Sequence, residues 1–311
     1  MISILITAWK EQDSIRKCLN TLLKGIPTDF HFEVLLAAPD DATRDAAMAE
    51  ISELNLEDKY IYVKDPGEGK PNALKMLMDK AKGDIWFFGD GDTFFGEHVI
   101  DKLTKHFDKK DVMAVTGRPM SIDSKNTMME YFGHLLVDAA HHKRTIDLTD
   151  EPSGRSLKFV KKRKFFPVSG YIFAMRATDI RPPKDTLVED AYFSYEIINR
   201  GGIIEYEPEA LVYVKFPKTL KDYFRQKKRS VGGYVQLWEY GVVKSETRTR
   251  SFWRELEYFW FPITYAKNLK ELFWSFMLYP IRTWLWVQIY WERRILKKDF
   301  VKTWVRIEST K

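Results

Sequence analysis

Two aspartates separated by one glycine, Asp90-Gly91-Asp92, follow the apolar run from Ile85 to Phe88. Two carboxylates at this spacing can chelate one hard divalent cation together with a pyrophosphate, because Mg²⁺ and Mn²⁺ prefer oxygen ligands. The intervening glycine lets the backbone turn and lets a ligand approach closely. The same residues also fit a plain turn at the end of a strand, so the motif alone leaves both interpretations open.

A lysine beside a glycine, Lys70, opens the helix that precedes this apolar run. The N-terminus of a helix favours negative charge, so Lys70 and the helix start together predict a contact with a phosphate group. The segment is not a P-loop. That motif requires glycine at position 64 and serine or threonine at position 71, where the chain has Lys64 and Pro71.

Glu189 and Asp190 form a second acidic pair, directly before a predicted helix. Carboxylates at a helix N-terminus can simply cap the helix and compensate its dipole. The functional interpretation is a general base. Transfer of a glycosyl or acyl group to a hydroxyl requires a carboxylate that takes the proton as the new bond forms.

Two basic segments have similar alternatives. Gln226-Lys227-Lys228-Arg229 is either a solvated helix face or a clamp on a leaving diphosphate, for which the planar fork of arginine is well suited. Residues 155–164 hold six basic side chains in ten, which is typical either of a solvated loop or of a contact with an anionic lipid or acceptor.

Strands and helices alternate over the first part of the chain, up to about residue 116. Predicted strands cover residues 3–7, 32–37, 60–63, 85–88 and 111–115, and predicted helices cover residues 12–23, 43–54 and 72–81. Near-continuous apolar strands between helices predict an α/β fold with a parallel sheet covered on both faces. Ligands bind at the carboxyl ends of such strands, and here Asp40, Asp41, Asp65, Asp90 and Asp92 follow strand ends.

The middle of the chain is less regular, over residues 120–165. Beyond it the pattern predicts a strand at residues 168–175, a helix at residues 190–199, a short strand at residues 211–214 and a basic helix from Lys221 onward.

The end of the chain is aromatic: eight of the ten tryptophans lie from Trp238 to Trp304. Between residues 252 and 291 the longest charge-free stretch has ten residues, whereas a membrane-spanning helix requires about 20. Aromatic residues mixed with lysine and arginine predict helices that lie in the plane of a membrane interface. A single tilted span that tolerates Arg282, a helical cap on the protein's own core and a dimer interface are the alternatives.

Composition limits the class of protein. The chain has 311 residues, of which 45% are hydrophobic and 30% charged, and this excludes wholesale disorder and a fibrous repeat. Cys18 is the only cysteine, which excludes a disulfide-stapled mini-protein. The net charge of +6 favours an anionic partner such as nucleotide phosphates or an anionic membrane. No signal peptide is predicted, so we expect a peripheral or monotopic protein at the cytoplasmic face of a membrane.

The order of these motifs resembles glycosyltransferase family 2, the inverting enzymes with a GT-A fold. The similar segments are residues 3–11, 33–45, 69–74, 83–92, 170–176, 188–202 and 226–230. Each motif is weak alone, but together they occur in the right order with sensible gaps. The resemblance implies a GT-A domain over residues 1–235, Rossmann-like, with a mixed, mainly parallel sheet and helices on both faces. An aromatic, amphipathic helical tail over residues 236–311 would follow it.

Three positions depart from the family pattern. Lys10 stands where asparagine is usual, and Pro39 precedes a slightly stretched loop, which leaves open whether Asp40 or Asp41 holds the nucleotide base. Ser230 replaces the tryptophan that lines the acceptor site of polysaccharide synthases and their relatives. This replacement argues against a processive synthase.

The resemblance implies a metal-dependent hexosyltransferase that moves a sugar from a UDP- or GDP-linked donor to a hydroxyl or phosphate acceptor. Asp92 would bind Mg²⁺ or Mn²⁺, Asp90 would contact the metal or the ribose, and Asp190 would be the catalytic base. The residues implied to bind substrate are Asp40, Asp41, Lys70, Asp90, Glu189, Gln226 and Arg229. A tail at the membrane would favour a lipid-linked glycan or another membrane-proximal acceptor.

Other classes of protein remain as alternatives. One is a non-catalytic scaffold docked on a membrane, against which the intact Asp92, Asp190 and Arg229 argue. Another is a nucleotidyltransferase, but the glycine-rich loop expected after the first strand is absent at residues 8–11. A nucleic-acid partner is not expected, because the basic residues are spread rather than concentrated on one face with stacking aromatics.

Overall fold

The computed structural model describes residues 1–27, 30–148, 165–245, 247, 249 and 255–296. The chain divides into two compact units. The first contains Met1–Met120 and Pro167–Val214, and the second contains Ser121–Phe166 and Lys215–Lys311. The predicted extent of the GT-A domain, residues 1–235, and of the tail after it stays a prediction. The basic segment at residues 155–164 lies outside the described residues.

One eight-stranded sheet forms the centre of the first unit. Its strands are β1 (Ile2–Thr7), β2 (Phe32–Ala38), β3 (Tyr60–Lys64), β4 (Ile85–Asp90), β5 (Phe94–Phe95), β6 (Val112–Ser121), β7 (Phe173–Arg176) and β8 (Ile203–Val214). Their order across the sheet is β3-β2-β1-β4-β7-β6-β8-β5. The strands β1, β2, β3 and β4 run parallel, and β7 pairs antiparallel with both β4 and β6. The sheet is therefore mixed.

Helices connect these strands and form most of the second unit. They are α1 (Ile15–Leu23), α2 (Asp41–Glu53), α3 (Lys70–Lys80), α4 (Val99–Thr104), α5 (Met128–Leu148), α6 (Glu189–Asn199), α7 (Leu220–Glu239), α8 (Phe261–Tyr265) and α9 (Leu269–Tyr290). Short 3-10 turns cover Glu57–Lys59 and Lys105–Asp108, and a π-helical turn, Trp291–Ile295, follows α9.

The central strand β1 is buried along its whole length, which explains its unbroken apolar sequence. Helix α1 has a buried face that includes Ile15, Leu19 and Leu22, spaced three or four residues apart. Full burial of such a side chain stabilises a fold by about 1.5–3 kcal/mol. The alternation of buried strands and one-sided helices is what the sequence pattern predicts for a covered sheet.

A buried hydrogen-bond group fixes the amino ends of three neighbouring strands. Ser3 Oγ donates to Glu33 Oε1 at 2.6 Å, and the backbone N–H of Gly83 donates to Ser3 Oγ at 2.8 Å. A side chain at Gly83 would place its Cβ atom 2.6 Å from the backbone nitrogen of Ser3, so glycine is required there. This group sets the register of β1, β2 and β4, and thereby aligns their opposite ends.

Helix α5 is the largest element that the sequence pattern did not predict. Its buried residues include Met129, Tyr131, Phe132 and Leu135 but also Arg144, and they lie on more than one side of the helix. A helix buried on several sides has no single apolar stripe, which removes the periodic signal. Strand β8 is also longer than the predicted strand at residues 211–214.

The inner side of helix α9 includes polar groups beside its buried apolar residues. Ser275 is buried and donates to the backbone oxygen of Pro262 at 2.6 Å, and its hydroxyl also meets Tyr131 Oη at 2.7 Å. Arg282 forms an ion pair with Glu255 and donates to Tyr223 Oη at 3.2 Å. These interactions fix the polar side of α9 within the second unit.

The outer side of α9 carries a row of apolar side chains, which we call the α9 stripe. Its spacing of three or four residues is that of one helix face. The exposed fraction of Leu269 is 84%, and that of Phe273 is 59%. The α9 stripe consists of Leu269, Phe273, Phe276, Pro280, Trp284 and Val287, together with Trp291 directly after the helix.

Over the described parts of the chain, every helix is either too short or too polar to cross a bilayer. The end of the predicted tail, residues 297–311, lies outside the described residues.

Candidate active site

Lys70 lies at the centre of an ionic cluster at the carboxyl ends of the parallel strands. Its Nζ atom is 2.7 Å from Asp90 Oδ1 and 2.9 Å from Glu189 Oε1. The three residues come from the start of α3, the end of β4 and the start of α6. The structure thus brings together three of the residues predicted to bind substrate.

Local structure explains why Lys70 begins its helix. Gly69 has a φ of +103°, a conformation that side chains rarely adopt, and this lets the chain turn into α3. Pro71 occupies the first turn of the helix, where its missing N–H is tolerated. The glycine-lysine-proline run is therefore a helix start, as the sequence predicts, although Lys70 contacts carboxylates here.

The charges of the cluster do not balance. Burial lowers the pKa of Lys70, but attraction to Asp90 and Glu189 outweighs this effect and raises the pKa overall. Burial raises the pKa of Asp90, and the nearby charge of Asp92 adds to this, although Lys70 opposes it. Burial acts against the charge of both groups, and the two carboxylates beside Lys70 stabilise its positive charge.

Asp90 is fixed by its strand partner as well as by Lys70. Thr7 and Asp90 lie opposite each other in the register of β1 and β4, and Thr7 Oγ1 donates to Asp90 Oδ1 at 3.1 Å. The backbone of the turn is fixed too, because Gly91 N–H donates to Thr7 O at 2.9 Å. Thr7 was not among the predicted site residues. Its position at the carboxyl end of the first strand is the sequence feature that could have identified it.

Gly91 provides space rather than an unusual backbone angle. An added Cβ atom would lie 2.5 Å from Glu11 Oε2 and 2.7 Å from Ala8 Cβ. Neither contact is possible without movement. The glycine between Asp90 and Asp92 therefore lets the buried Glu11 pack directly beneath the aspartate turn.

Asp190, the predicted base, is partly exposed and oriented by the backbone. Its Oδ2 atom accepts a hydrogen bond from the N–H of Gly170 at 3.0 Å. Its backbone oxygen accepts from Ser194 Oγ at 2.6 Å, and Ser194 Oγ accepts from the N–H of Val168 at 3.0 Å. The segment before β7 and the first turn of α6 thus hold each other in place.

Asp40 and Asp41 have different environments. Asp40 caps α2: its Oδ1 accepts from the Thr43 N–H at 2.9 Å, and its Oδ2 accepts from the Lys10 N–H at 2.8 Å. Burial opposes ionisation of Asp40, but these hydrogen bonds outweigh it and lower its pKa. Asp41 is exposed and forms ion pairs with Arg44 and Lys64.

The remaining predicted residues lie in two places. Asp92 directly follows the turn at Gly91 and is partly exposed. Gln226 and Arg229 lie on α7 in the second unit, also partly exposed. Their predicted roles in substrate binding stay predictions. Among the described residues, no group of three or more His, Cys, Asp and Glu side chains is arranged to hold a metal ion.

A family profile described as "Glycosyltransferase like family 2" matches residues 1–233, about three quarters of the chain. The chain belongs to this family. Membership confirms the family and the class of enzyme predicted from the motifs, a glycosyltransferase.

Two curated relatives of this family 2 glycosyltransferase are bacterial. The probable glycosyltransferase YdaM of Bacillus subtilis is 24% identical over 251 residues, which is 76% of this chain and 56% of that protein. Poly-beta-1,6-N-acetyl-D-glucosamine synthase of Staphylococcus aureus is 24% identical over 244 residues, which is 76% of this chain and 55% of that protein. The chain thus spans little more than half the length of these relatives.

The fold of this glycosyltransferase is similar to that of a solved structure, the mannosyltransferase PcManGT from Pyrobaculum calidifontis in complex with GDP-Man and Mn²⁺. The TM-score is 0.62 at 15% identity, and the match covers 96% of this chain and 88% of that one. The likeness confirms the predicted GT-A fold with additional C-terminal helices.

Proposed function

We propose that this glycosyltransferase moves a sugar from a UDP- or GDP-linked donor to a hydroxyl or phosphate acceptor, with inversion at the anomeric carbon. The observation that carries the proposal is the bridge formed by Lys70, 2.7 Å from Asp90 and 2.9 Å from Glu189. The bridge supports a single site, because it joins the candidate cation ligands of β4 to the acidic pair that contains the candidate base, Asp190.

The acidic residues of this site fit a divalent cation. Asp90 and Asp92 offer hard oxygen ligands, and the charge of Asp92 lies close enough to act on Asp90. Mg²⁺ in enzymes is usually held by one or two carboxylates together with substrate phosphates, so two aspartates are sufficient. PcManGT was solved with Mn²⁺ and GDP-Man, which supports the same assignment. When bound, Mg²⁺ or Mn²⁺ would neutralise charge on the departing diphosphate.

Asp190 would remove the proton from an acceptor hydroxyl as that oxygen attacks the anomeric carbon. The Gly170 N–H fixes one carboxylate oxygen of Asp190, which orients the group before the acceptor arrives. Such positioning matters because a general base contributes about 10²–10⁴ in rate only when it lies within reach of the proton. Glu189 stays bound to Lys70 and would keep the base beside the donor side of the site.

The other substrate contacts are proposed from the family pattern. Asp40 or Asp41 would contact the nucleoside, and Lys70 would attract the diphosphate electrostatically. Gln226 and Arg229 on α7 would bind the leaving diphosphate, a role for which arginine provides two parallel N–H donors.

A donor screen tests this proposal. Purified protein is incubated with Mn²⁺ and a panel of UDP- and GDP-sugars, and the released nucleoside diphosphate is measured. Slow hydrolysis of one donor that is lost in Asp92→Ala and in chelator supports the proposal. If a nucleotide binds but no donor is hydrolysed, the same assay is repeated with membrane lipids as acceptors. If no donor is hydrolysed and no nucleotide binds in a metal-dependent way, the non-catalytic scaffold is favoured.

The α9 stripe supports a membrane partner and, with it, a lipid-linked acceptor. Phe273 and Trp284 are both more than half exposed, whereas the charged Arg282 between them is turned inward onto Glu255. Water favours the opposite arrangement, and the headgroup boundary of a membrane favours this one. The exposed Lys267 and Lys270 at the start of α9 would add attraction to anionic lipids.

Flotation with liposomes tests this membrane contact. The double variant Phe273→Ser and Trp284→Ser is compared with Met48→Ser, which removes an equally exposed apolar residue from α2. We expect the double variant to lose flotation with anionic liposomes and the control to keep it. If both variants float equally well, the α9 stripe is not the membrane contact. If the double variant forms a smaller oligomer, the stripe is a dimer interface.

A processive synthase is the second candidate, favoured by the match to poly-beta-1,6-N-acetyl-D-glucosamine synthase. Ser230, in place of the expected tryptophan, argues for single transfer. The two are separated by the product: a labelled acceptor gains one sugar in single transfer and a ladder of sugars in processive synthesis.

A further inference from the structure

A tight turn before β7 holds the candidate base, Asp190. The N–H of Ile172 donates to Ser169 O at 3.0 Å, which closes a four-residue β-turn with Gly170 as its second residue. From this turn the Gly170 N–H donates to Asp190 Oδ2 at 3.0 Å. The direction of that N–H, and with it the orientation of the carboxylate, therefore depends on how the turn is fixed.

Thr116, on strand β6, fixes both ends of this turn. Its Oγ1 atom accepts a hydrogen bond from the Ser169 N–H at 2.8 Å and donates one to Ile172 O at 3.2 Å. Thr116 is fully buried, and Ser169 is nearly so. A buried N–H that loses its acceptor is costly to the fold, so the turn would have to shift if the hydroxyl group were removed. One hydroxyl group thus ties the first and last residues of the turn to the sheet.

Ser194, on helix α6, fixes the residue just before the turn. Its Oγ atom accepts from the Val168 N–H at 3.0 Å and donates to the backbone oxygen of Asp190 at 2.6 Å. Three successive N–H groups, those of residues 168, 169 and 170, therefore donate to the side chains of Ser194, Thr116 and Asp190. Ser194 and Thr116 are fully buried, whereas Asp190 is partly exposed. Two buried hydroxyl groups thus support the one carboxylate of this row that faces outward.

A general base requires this kind of support. It contributes to the rate only when its carboxylate oxygen lies within hydrogen-bond reach of the acceptor proton. Groups that contact the backbone behind a functional side chain can hold it in the productive geometry without touching substrate. A turn that was not tied to β6 and α6 could rotate its Gly170 N–H away from Asp190.

We propose that Thr116 and Ser194 are positioning residues, which orient the carboxylate of Asp190 for removal of the acceptor proton. The proposal rests on the role of Asp190 as the base in the function proposed above. Each hydroxyl group acts through the backbone of residues 168–170 and not on substrate. If the two groups served only the stability of the fold, their removal would affect the protein whether or not the base was present.

Kinetics of Thr116→Val and Ser194→Ala, with the donor that the screen identifies, test the proposal. Each substitution removes a hydroxyl group and leaves a side chain of similar size. We expect kcat to fall by about 10- to 100-fold, since a misplacement of about 1 Å can reduce the rate by about 10²-fold, while nucleotide affinity is unchanged. Thr116→Ser keeps the hydroxyl group, is the matched control and should retain most of kcat.

A double variant separates orientation of the base from a general loss of structure. Once Asp190→Asn has removed the base, adding Thr116→Val should cause almost no further loss of kcat, because no base is left to orient. The exchange rate of the Gly170 amide hydrogen, measured by NMR, is a second readout that requires no substrate. It should rise in Thr116→Val and in Ser194→Ala, and it should stay low in Thr116→Ser.

Several results would overturn the proposal. These are wild-type kcat in Thr116→Val and Ser194→Ala, a full additional loss of kcat in the Asp190→Asn background, and an unchanged exchange rate at Gly170. If one of the two variants does not fold, the same criteria apply to the other. Wild-type kcat in Asp190→Asn would overturn the role of the base itself, and the absence of turnover with every donor would overturn the proposed function. In either case the positioning role falls with it.

Discussion

The backbone N–H of Gly170 lies 3.0 Å from Asp190 Oδ2, so a residue before β7 orients a carboxylate on the first turn of α6. The same pair is in close contact sterically. A Cβ atom at position 170 would lie 3.0 Å from Asp190 Oδ2 and 3.2 Å from its Cγ, closer than most real contacts. The orientation of the proposed base therefore depends on the absence of a side chain at residue 170.

Gly170→Ala should displace Asp190 while leaving the fold intact. Since a misplacement of about 1 Å can reduce rate by about 10²-fold, we expect kcat to fall by about 10- to 100-fold with little change in donor binding. Initial rates and nucleotide affinity measure the two effects. Gly25→Ala is the control, because its added Cβ meets its nearest atom at an ordinary 3.4 Å. Wild-type kcat in Gly170→Ala would show that Asp190 is not the base.

Lys70→Met should destabilise the folded protein. It removes the ammonium group that Asp90 and the buried Glu189 share, and a hydrogen bond to a charged group contributes about 1.5–3 kcal/mol. Chemical denaturation at pH 7 measures the change in the free energy of unfolding. Lys80→Met, an exposed lysine at the end of the same helix, should have almost no effect. Equal midpoints for the two variants would mean that the cluster contributes nothing to stability.

Asp40→Ala should lower stability in a way that depends on pH. Asp40 caps α2, and removal of such a cap reduces the free energy of unfolding by about 0.5–2 kcal/mol. The pKa of Asp40 is lowered in the folded protein, so the unfolded chain takes up the proton first as pH falls. Its contribution is therefore complete above the ordinary aspartate pKa of about 3.9 and is lost as pH falls through the folded-state value.

The control for this measurement is the adjacent Asp41→Ala. Asp41 is exposed, and exposed ion pairs contribute about 0–1 kcal/mol. Denaturation at pH 7 and at pH 3 should show a large difference between the two variants at neutral pH and a smaller one in acid. A difference that stays constant with pH would contradict the assignment of the effect to the Asp40 charge.

Gly91→Ala should disturb the turn between Asp90 and Asp92. The new Cβ atom would collide with Glu11 and Ala8, and overpacking of this kind destabilises by about 1–3 kcal/mol. The two aspartates would also move apart from their present spacing, so we expect weaker Mn²⁺ binding in the presence of nucleotide. Thermal unfolding and calorimetry measure the two effects, and full retention of both would show that the turn is adaptable.

The strand ends could be predicted from sequence because their signals are local. Asp90 comes at the end of an apolar run. An unbroken apolar run of this length is the usual sequence pattern of a strand that is buried on both faces. The ion pairs of Lys70 could not be predicted, because they depend on how α3 and α6 approach β4. The sequence predicted a phosphate contact for this lysine, and the structure adds its ion pairs with two carboxylates.

The second unit shows a different limit of sequence patterns. The aromatic content of residues 252–291 was visible, but the direction of each side chain was not. In the sequence, Arg282 is a charge that interrupts an apolar segment. In the structure its guanidinium group faces Glu255, so the outer side of α9 stays apolar. Helix α5 gave no pattern at all, because partners on several sides removed its periodicity.

The position of β7 has a consequence for folding during synthesis. This strand lies between β4 and β6 in the sheet, although it follows both in the chain. Until β7, which ends at Arg176, has left the ribosome, no strand joins β4 to β6. Each of these two strands then has an unpaired edge. Helix α5 is synthesised during this interval. We therefore expect the nascent chain to depend on chaperones until β7 is inserted, since long-range strand pairing is slow and exposes edges that aggregate.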